Sequence, residues 1–302
     1  MARVAEAHLW QYPPVPPRVT AIIATYNWSS VLPYSIGSVL RQTFSDFELL
    51  VVGDGCSDDS ERVVTAMKDP RIRWINLPAN TGHQSGPNNE GLRQARGEIV
   101  AYLGHDDLWL PHHLALMVGA FDRTNSDFAY ALGINVASDG SVAPVIPQPT
   151  RGTFSAPLCM AHLKRVTEEM GGWRDYRELH DPPDVELWRR AHTRGYVFTF
   201  VPRLTGVKFP ASGRRGVYGM RPFHEQAAWL ARIDAEPDFE PQRLVNVIIS
   251  DFALNSLPYR ALAGNLLRRA SRRIRRRLTL SGLGLPSRRG QSIDSIRRFK
   301  GL

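Results

Sequence analysis

Three polar side chains follow directly on an apolar run in the stretch AYLGHDDLWLP, residues 101–111. They are His105, Asp106 and Asp107. Adjacent carboxylates at the end of a buried strand repel each other unless a cation or several hydrogen-bond donors compensate them. Such oxygen ligands suit Mg²⁺ or Mn²⁺, which keep open positions for phosphate oxygens. The stretch therefore predicts that Asp106 and Asp107 hold a divalent metal bridging a diphosphate; the alternative for Asp107 is that it caps the helix expected near Leu110.

A second acidic stretch, VVGDGCSDDS, ends another apolar run. Asp54 stands at the predicted strand tip, where its carboxylate can accept a hydrogen bond from a base or a ribose hydroxyl. Gly53 and Gly55 allow a ligand to approach the backbone closely. Asp58 and Asp59 are expected to cap the following helix.

The elements that must position these residues alternate between β-rich and helical runs. The strand candidates VTAIIAT, FELLVVG, IRWINL and EIVAYLG are each followed by a helical pattern. Four such alternations predict the α/β class, with a mostly parallel central sheet flanked by helices. The polar stretches ATYN, GDGCSDDS, PANTGHQSG and GHDD follow these strands, and in such sheets ligands bind at the carboxyl ends of the strands.

The order of elements becomes less regular after about residue 127. FAYALGINVAS and VAPVIPQPT are expected to form a hairpin, PPDVELWRRAHTRG a helix and YVFTFVP a further strand. ASGRRGVYGMRP, residues 211–222, has the composition of a flexible basic loop. Its glycines suggest that Arg214, Arg215 and Arg221 close over a bound diphosphate, the alternative being a solvated loop.

The positive charge is concentrated in one segment. The 302 residues carry a formal net charge of +9, yet residues 260–302 hold thirteen Lys or Arg against one acid, Asp294. The other residues are therefore slightly acidic overall. A protein that binds nucleic acid normally carries a basic face on its main domain, so no nucleic acid is expected as a partner.

Several absences narrow the class further. Cys56 and Cys159 are the only cysteines, too few for a disulfide framework and without the spacing of a zinc site. The turn ATYNWSS lacks the G-x-G-x-x-G of dinucleotide-binding dehydrogenases, and no G-x-x-x-x-G-K P-loop occurs. No apolar run of about 18 residues and no signal-type segment is present. A cytoplasmic protein is therefore expected.

Four stretches taken in order resemble glycosyltransferase family 2, whose members have the GT-A fold. They are VTAIIATYN, FELLVVGDGCSDDS, NTGHQSGPNNEGLRQARGEIVAYLGHDDLW and DVELWRRAHTRGYVF, and the resemblance covers about residues 18–210. It implies an enzyme that moves a sugar from a nucleotide diphosphate-sugar donor to an acceptor hydroxyl, with inversion at the anomeric carbon. It also implies Mn²⁺ or Mg²⁺ as the cofactor.

The resemblance assigns roles residue by residue. Thr25, Tyr26 and Asn27 fall where the family's first loop lines the nucleotide pocket, and Asp54 falls where an acid contacts the base. Asp106 matches the metal-holding acid of the D-x-D type motif. Asp184, in PPDVELW, matches the acid that is taken as the general base in this family. A metal that stabilises the leaving diphosphate and a carboxylate that takes the acceptor proton make a coherent mechanism.

The sequence also departs from the family pattern. The common form is D-x-D-D, but Gly104 replaces the leading acid here, and Asn88 replaces a basic residue in GPNNEGL. Asn88 and His105 are kept as candidate donor-binding residues. His224, in RPFHEQ, is a candidate additional metal ligand. Glu186 lies two residues after Asp184, so the two side chains should point to different faces of a helix and cannot share the role of base.

Three segments are expected: a proline-rich lead-in at 1–17, a GT-A domain at 18–230 and a helical extension at 231–302 that ends in a polybasic tail. Within the tail, NLLRRASRRIRRRLTL has the pattern of a basic amphipathic helix, which favours peripheral contact with an anionic membrane surface. Such contact suits a glycan or lipid-linked cell-envelope acceptor. The alternatives in function are a non-catalytic nucleotide-sugar or glycan binding module and a nucleotidyltransferase.

Overall fold

The computed structural model describes residues 16–145, 147, 156–240, 242, 243, 245 and 291–302. Nearly all of the lead-in, the end of the expected hairpin and the amphipathic stretch NLLRRASRRIRRRLTL lie outside these ranges. The proposed segment boundaries therefore stay predictions.

Nine strands and nine helices are described. The strands are β1 Val19–Thr25, β2 Phe47–Gly53, β3 Ile72–Asn76, β4 Ile99–Gly104, β5 Leu108–Trp109, β6 Phe128–Val136, β7 Val142–Val145, β8 Met160–Leu163 and β9 Phe198–Lys208. The helices are α1 Leu32–Leu40, α2 Ser60–Thr65, α3 Ser85–Gln94, α4 His113–Arg123, α5 Lys164–Met170, α6 Pro183–Thr193, α7 Val217–Met220, α8 His224–Ala235 and α9 Gln291–Lys300. None of these helices has both the length and the apolarity that crossing a bilayer requires.

All nine strands join one sheet, which confirms the predicted α/β class. The order is β3-β2-β1-β4-β8-β6-β9-β5, with β7 paired to β6. The first four strands are parallel, and β8, β7 and β5 pair antiparallel with their neighbours. Thr25 lies opposite Gly53, and Ala24 lies opposite Gly104. The loops after β1, β2 and β4 therefore leave the sheet at one level and meet at one edge.

Helices cover both faces of the parallel strands because successive side chains of a strand point to opposite faces. Ala21 and Ile23 pack into a core with α1 and α4, whereas Ile22 packs into a second core with α3 and α6. At Gly91 of α3, an added Cβ would lie 2.8 Å from the Ile22 side chain. Glycine therefore lets α3 approach the sheet closely, and α3 carries Asn88 to the loop edge.

The structure differs from the sequence-based expectation in the region after residue 196. β9 continues to Lys208, beyond the strand end expected at Pro202. The stretch expected to be a flexible loop contains a short helix, α7, and its Arg214 is buried. α8 runs across residue 230, where a domain boundary was proposed. The stretch at residues 211–222 is more regular than expected because Arg214 contacts α8 and β6, and β6 is distant from it in sequence.

Candidate active site

The loop after β1 is fixed to the loop after β2 by an asparagine. Asn27 adopts a left-handed backbone conformation, with φ of 43°. Its side-chain oxygen accepts hydrogen bonds from the backbone N–H groups of Ser57, at 2.8 Å, and Asp58, at 3.3 Å. The Asn27 side chain thus holds the two loops together, while the neighbouring Tyr26 lines a small cavity of about 80 Å³.

Asp54 lines the same small cavity and anchors the loop after β3. Its carboxylate accepts from the backbone N–H of Thr81 at 2.8 Å, from the Thr81 hydroxyl at 2.7 Å and from the Gly82 N–H at 3.3 Å. Hydrogen bonds to an ionised acceptor are among the strong ones. The predicted nucleotide-contacting acid therefore also shapes the pocket around itself.

His105 joins the loop after β4 to two other parts of the site. Its Nδ1 lies 3.0 Å from the Thr25 hydroxyl, and its Nε2 lies 3.1 Å from the Tyr218 hydroxyl. Burial lowers the pKa of His105 to about 4. The ring is therefore neutral at pH 7, and one ring nitrogen donates while the other accepts. The structure gives His105 a positioning role between β1 and α7.

The adjacent carboxylates Asp106 and Asp107 have different surroundings. Asp107 is buried, and its carboxylate accepts from the Phe209 backbone N–H at 2.9 Å and from the Lys208 ammonium at 3.2 Å. It does not cap α4, which begins at His113 without a side-chain cap. Asp106 is half-buried and lines the main crevice; its backbone carbonyl accepts from Gln226. The repulsion expected from the pair is thus relieved mainly by Lys208.

Lys208 was not among the residues predicted for the site. Burial is the largest single effect and acts to lower the pKa of Lys208, but the carboxylates of Asp107, Asp106 and Asp184 together outweigh it and raise that pKa. The side chain is therefore a permanent cation at the end of β9. A single lysine that ends a long apolar strand, as in TGVKFP, is the signal that could have indicated it.

Gly104 stands where the family pattern has its leading acid. A Cβ added there would lie 2.7 Å from a carboxylate oxygen of Asp107 and 3.1 Å from one of Asp106. The space that a side chain at this position would need is already taken by Asp107. The missing acid is therefore compatible with the packing of its neighbours.

Asp184 lies at the start of α6 and lines the same crevice as Asp106. Its carboxylate accepts from the Val185 N–H at 3.0 Å, and burial raises its pKa. Glu186 instead pairs with Arg190 at 2.9 Å and with Arg174 at 3.4 Å. As expected from their spacing, the two acids point to different surroundings, and Asp184 is the one in the crevice.

The main crevice has a volume of about 280 Å³ and lies at the carboxyl ends of β1 and β4. It adjoins the small cavity, and both are lined by Gly82, His105 and Tyr218. Asn88 of α3 lines the main crevice as well. One wall is formed by α9, which the sequence did not place near the site. Two connected spaces are therefore lined by most of the predicted site residues, among them Thr25, Tyr26, Asp54, Asn88, His105, Asp106 and Asp184. Asn27 lines neither space.

His224 and the loop arginines also lie outside both cavities. His224 is exposed at the start of α8, with its ring 4.3 Å from that of Phe223, and does not line either cavity. Arg214 donates to Glu225 at 3.0 Å and to the Val136 carbonyl at 2.9 Å, so it braces α8 against β6. A role of Arg214 in closing over a diphosphate is not compatible with these contacts.

The residues present fit a divalent metal held mainly by Asp106. Across the described ranges, no group of three or more His, Cys, Asp or Glu side chains is arranged to hold a metal ion. Mg²⁺, however, commonly binds through one or two carboxylates together with substrate phosphates. Burial raises the pKa of Asp106, and nearby Lys208 and Lys300 oppose that effect. A cation bound beside it would favour the ionised carboxylate further.

Comparison with known sequences finds a family match over part of the chain. Residues 20–155 match the model of glycosyl transferase family 2. An Escherichia coli UDP-Glc:alpha-D-GlcNAc-diphosphoundecaprenol beta-1,3-glucosyltransferase is 29% identical over 140 residues, which are 46% of this chain and 54% of the relative. A Campylobacter jejuni GalNAc(5)-diNAcBac-PP-undecaprenol beta-1,3-glucosyltransferase is 34% identical over 122 residues, 39% of this chain and 38% of the relative. The chain thus spans about half or less of the length of these two relatives.

Solved structures agree in fold. TarS 1-349 of S. aureus in complex with UDP-GlcNAc superposes with a TM-score of 0.56 at 18% identity, covering 80% of this chain and 75% of TarS. The mannosyltransferase PcManGT from Pyrobaculum calidifontis, in complex with GDP-Man and Mn²⁺, gives a TM-score of 0.53 at 16% identity. The match covers 97% of this chain and 87% of PcManGT. At such identities the likeness supports the fold alone. The chain therefore has the GT-A fold, and residues 20–155, a little under half of it, resemble glycosyltransferase family 2.

Proposed function

We propose that the protein transfers a sugar from a nucleotide diphosphate-sugar to an acceptor hydroxyl, with inversion at the anomeric carbon. The observation that carries this proposal is that Asp106 and Asp184 line one crevice, and neither carboxylate forms an ion pair with another described residue. One acid is free to meet the donor diphosphate and the other to meet the acceptor. The match of residues 20–155 to the family 2 model supports the same reaction class.

Asp184 is the proposed general base. It takes the proton from the acceptor hydroxyl as that oxygen attacks the anomeric carbon and the nucleoside diphosphate leaves from the opposite side. A base works best when its pKa lies near the working pH, and burial moves the pKa of Asp184 in that direction. The displacement is direct, so the configuration inverts.

The donor end is proposed to lie in the small cavity. Tyr26 and Asp54 line it, and Thr25 supports His105 beside it. Asp106, which lines the main crevice, would hold Mn²⁺ or Mg²⁺. Such an ion, when bound, stabilises negative charge on the leaving diphosphate. Asp107 supports this position indirectly, because Lys208 and the Phe209 N–H fix its carboxylate.

A lipid-linked cell-envelope glycan is the proposed acceptor. Two relatives are named for transfer to glycans on undecaprenol diphosphate. Such acceptors lie at a membrane surface, so we propose a cytoplasmic protein in peripheral contact with the membrane through the basic tail. Co-sedimentation of the full chain with anionic vesicles, but not with zwitterionic ones, is expected at low salt. Equal sedimentation with both would contradict membrane contact of this kind.

The activity is tested with UDP-, GDP- and dTDP-sugars, Mn²⁺ or Mg²⁺, and GlcNAc-diphosphoundecaprenol as acceptor. We expect release of one nucleoside diphosphate and its loss in Asp106→Ala, in Asp184→Asn and in EDTA. The Asp184→Asn variant should still bind the donor in calorimetry. Glu186→Gln is the matched control for position 184, because Glu186 points away from the crevice.

The same assay separates the two alternatives. Donor binding without turnover by any acceptor would favour a binding module. Release of pyrophosphate from a nucleoside triphosphate and a sugar phosphate would favour a nucleotidyltransferase. The second result is not expected, because the loop after β1 lacks the glycine-rich turn that a nucleotidyltransferase normally needs. The first is not expected, because Asp106 and Asp184 line one crevice as a catalytic pair would.

A further inference from the structure

Helix α9 bridges the two rims of the main crevice. On one side, the Arg297 guanidinium donates to the carbonyl of Gly82, in the loop after β3. On the other side, the Phe299 carbonyl accepts from the Gly216 N–H at 2.8 Å, just before α7. The helix therefore lies across the opening between these two loops.

The face that α9 turns to the crevice is defined by residue spacing. Ile293, Ile296, Arg297 and Lys300 line the crevice, and they stand at positions i, i+3, i+4 and i+7 of the helix. This spacing places side chains on one face. Arg298 is exposed and lines neither cavity. The helix thus presents one apolar and cationic face to the site and keeps another cation outside it.

Lys300 differs from the other cations that line the crevice. Lys208 is engaged by Asp107 at 3.2 Å, and Arg297 by the Gly82 carbonyl. Among the described residues, no carboxylate lies within 4.0 Å of the Lys300 ammonium, which lies 5.9 Å from the centre of the Tyr218 ring. Burial, together with the nearby charges of Lys208 and Arg297, lowers the pKa of Lys300, and the carboxylates of Asp106 and Asp107 oppose that effect without contacting the ammonium. A half-buried cation that has no anionic partner at contact distance is suited to receive an anion from a ligand.

We propose that Lys300 binds the diphosphate of the nucleotide-sugar donor, so that α9 is a component of the donor site. This inference rests on the proposed function and adds a phosphate-binding residue to it. The crevice volume of about 280 Å³ is at the low end of small-molecule sites, which measure about 300–1,000 Å³. Together with the adjoining cavity of about 80 Å³, the space falls within that range, with α9 as one of its walls.

The opposite role for α9 would be to obstruct the site. In that case the helix would compete with the donor, and its removal would tighten binding. The two roles thus predict changes of opposite sign in donor affinity. The position of Lys300 near Asp106 and Asp107, where the phosphates are expected, favours a role of α9 in donor binding.

Calorimetry with UDP, GDP and dTDP, each compared with its monophosphate in the presence of Mg²⁺, tests the proposal. Lys300→Ala should weaken binding of the diphosphate that the wild type binds by about tenfold, with the monophosphate changed less than twofold. Lys300→Arg should retain most of the affinity. Arg298→Ala, which removes the same charge from the outer face of α9, should bind like the wild type.

Equal or tighter diphosphate binding by Lys300→Ala would overturn the inference while leaving the proposed function intact. Deletion of residues 291–302 gives a second reading, with weaker diphosphate binding expected and tighter binding contradicting the proposal. If the wild type binds none of the three diphosphates, the proposed function itself fails, and the inference fails with it. The thermal unfolding of each variant checks that the fold is retained.

Discussion

The ammonium of Lys208 lies 3.2 Å from a carboxylate oxygen of Asp107, although the two residues are 101 positions apart in sequence. Their ion pair fastens the end of β9 to the loop after β4. Asp107 is almost wholly buried, and it also accepts from the Phe209 N–H at 2.9 Å. The pair therefore holds the loop that carries Asp106 in place.

Removing the cation of this pair should destabilise the protein. Lys208→Met leaves a buried carboxylate without its counter-ion, a change that costs about 3–5 kcal/mol when both partners are fully buried. Because the Lys208 side chain is 32% exposed, we expect about 2–3 kcal/mol in urea unfolding. Lys164→Met, at a surface pair with Glu168, should change stability by less than about 0.5 kcal/mol. An equal loss of unfolding free energy in both variants would show that the Lys208–Asp107 pair stabilises the fold no more than a surface pair does.

The dependence of activity on pH should follow Asp184. Burial raises the pKa of Asp184, so its carboxylate gains a proton at higher pH than an ordinary aspartate, whose pKa is about 3.9. The rate should therefore rise with pH along an acid limb that lies above that value. Asp184→Asn should lower kcat by about 10²–10⁴-fold.

Glu186→Gln provides the control for this limb. Glu186 is engaged by Arg190 and Arg174, away from the crevice. The variant should keep both kcat and the position of the acid limb in a plot of kcat against pH. Asp184 would be excluded as the base if Glu186→Gln shifted the acid limb of the kcat–pH plot and Asp184→Asn did not change that limb.

His113 is expected to weaken the fold in acid. Its ring is fully buried and stacks on Trp109 at 4.2 Å, and neither nitrogen has a hydrogen-bond partner among the described residues. Burial lowers its pKa to about 3. In the unfolded chain the pKa is about 6.5, so between these values the unfolded state binds a proton that the folded state does not. Stability should therefore fall as pH drops from about 6.5 towards 3.

Replacing the His113 ring by an apolar ring should remove both the unpaired buried nitrogens and the loss of stability in acid. His113→Phe should raise the free energy of unfolding at pH 7 by about 1 kcal/mol, because no unpaired nitrogen is then buried. It should also flatten the fall in stability below pH 6.5, measured by urea unfolding at several pH values. His112→Phe, at the exposed neighbouring position, should leave the dependence on pH unchanged.

Arg214 should contribute to stability and not to donor binding. It is 9% exposed and donates to Glu225 and to the carbonyls of Val136 and Pro210. Arg214→Ala removes the donor to the buried Val136 residue and to the partly exposed Glu225 and Pro210, at an expected cost of about 2–3 kcal/mol in chemical unfolding. Arg215→Ala, at an exposed position next to it, should change stability by less than about 0.5 kcal/mol. Weaker donor binding with unchanged stability in Arg214→Ala would restore the idea of a closing loop.

The sequence was sufficient to predict the parallel half of the sheet. VTAIIAT and FELLVVG coincide with the bounds of β1 and β2, because strands buried on both faces appear as continuous apolar runs between polar turns. β9 was predicted too short because Pro202 and Arg203 interrupt its apolar run. In the structure, Val201 pairs with Ala131 and Leu204 with Leu132, so both interrupting residues bulge out and the strand continues.

The part of the candidate site that was predicted from the sequence is the part that lies at the ends of the predicted parallel strands. Thr25, Asp54 and Asp106 follow strand ends, and the parallel sheet brings strand ends to one edge whatever the loops do. Lys208 and Lys300 reach the crevice from β9 and α9, through contacts between residues far apart in the chain. Local sequence patterns carry no information about such contacts, so neither lysine was expected there.

The absence of space at Gly104 links two positions of the acidic motif. An acid introduced there by one substitution would meet the Asp107 carboxylate, which is itself fixed by Lys208 and the Phe209 N–H. The effects of changes at 104 and 107 should therefore not add, as is usual for side chains in contact. In homologous sequences with the D-x-D-D form, which keep acids at both 104 and 107, this predicts a residue other than lysine at position 208. Positions 104 and 208 would then have diverged together and not one at a time.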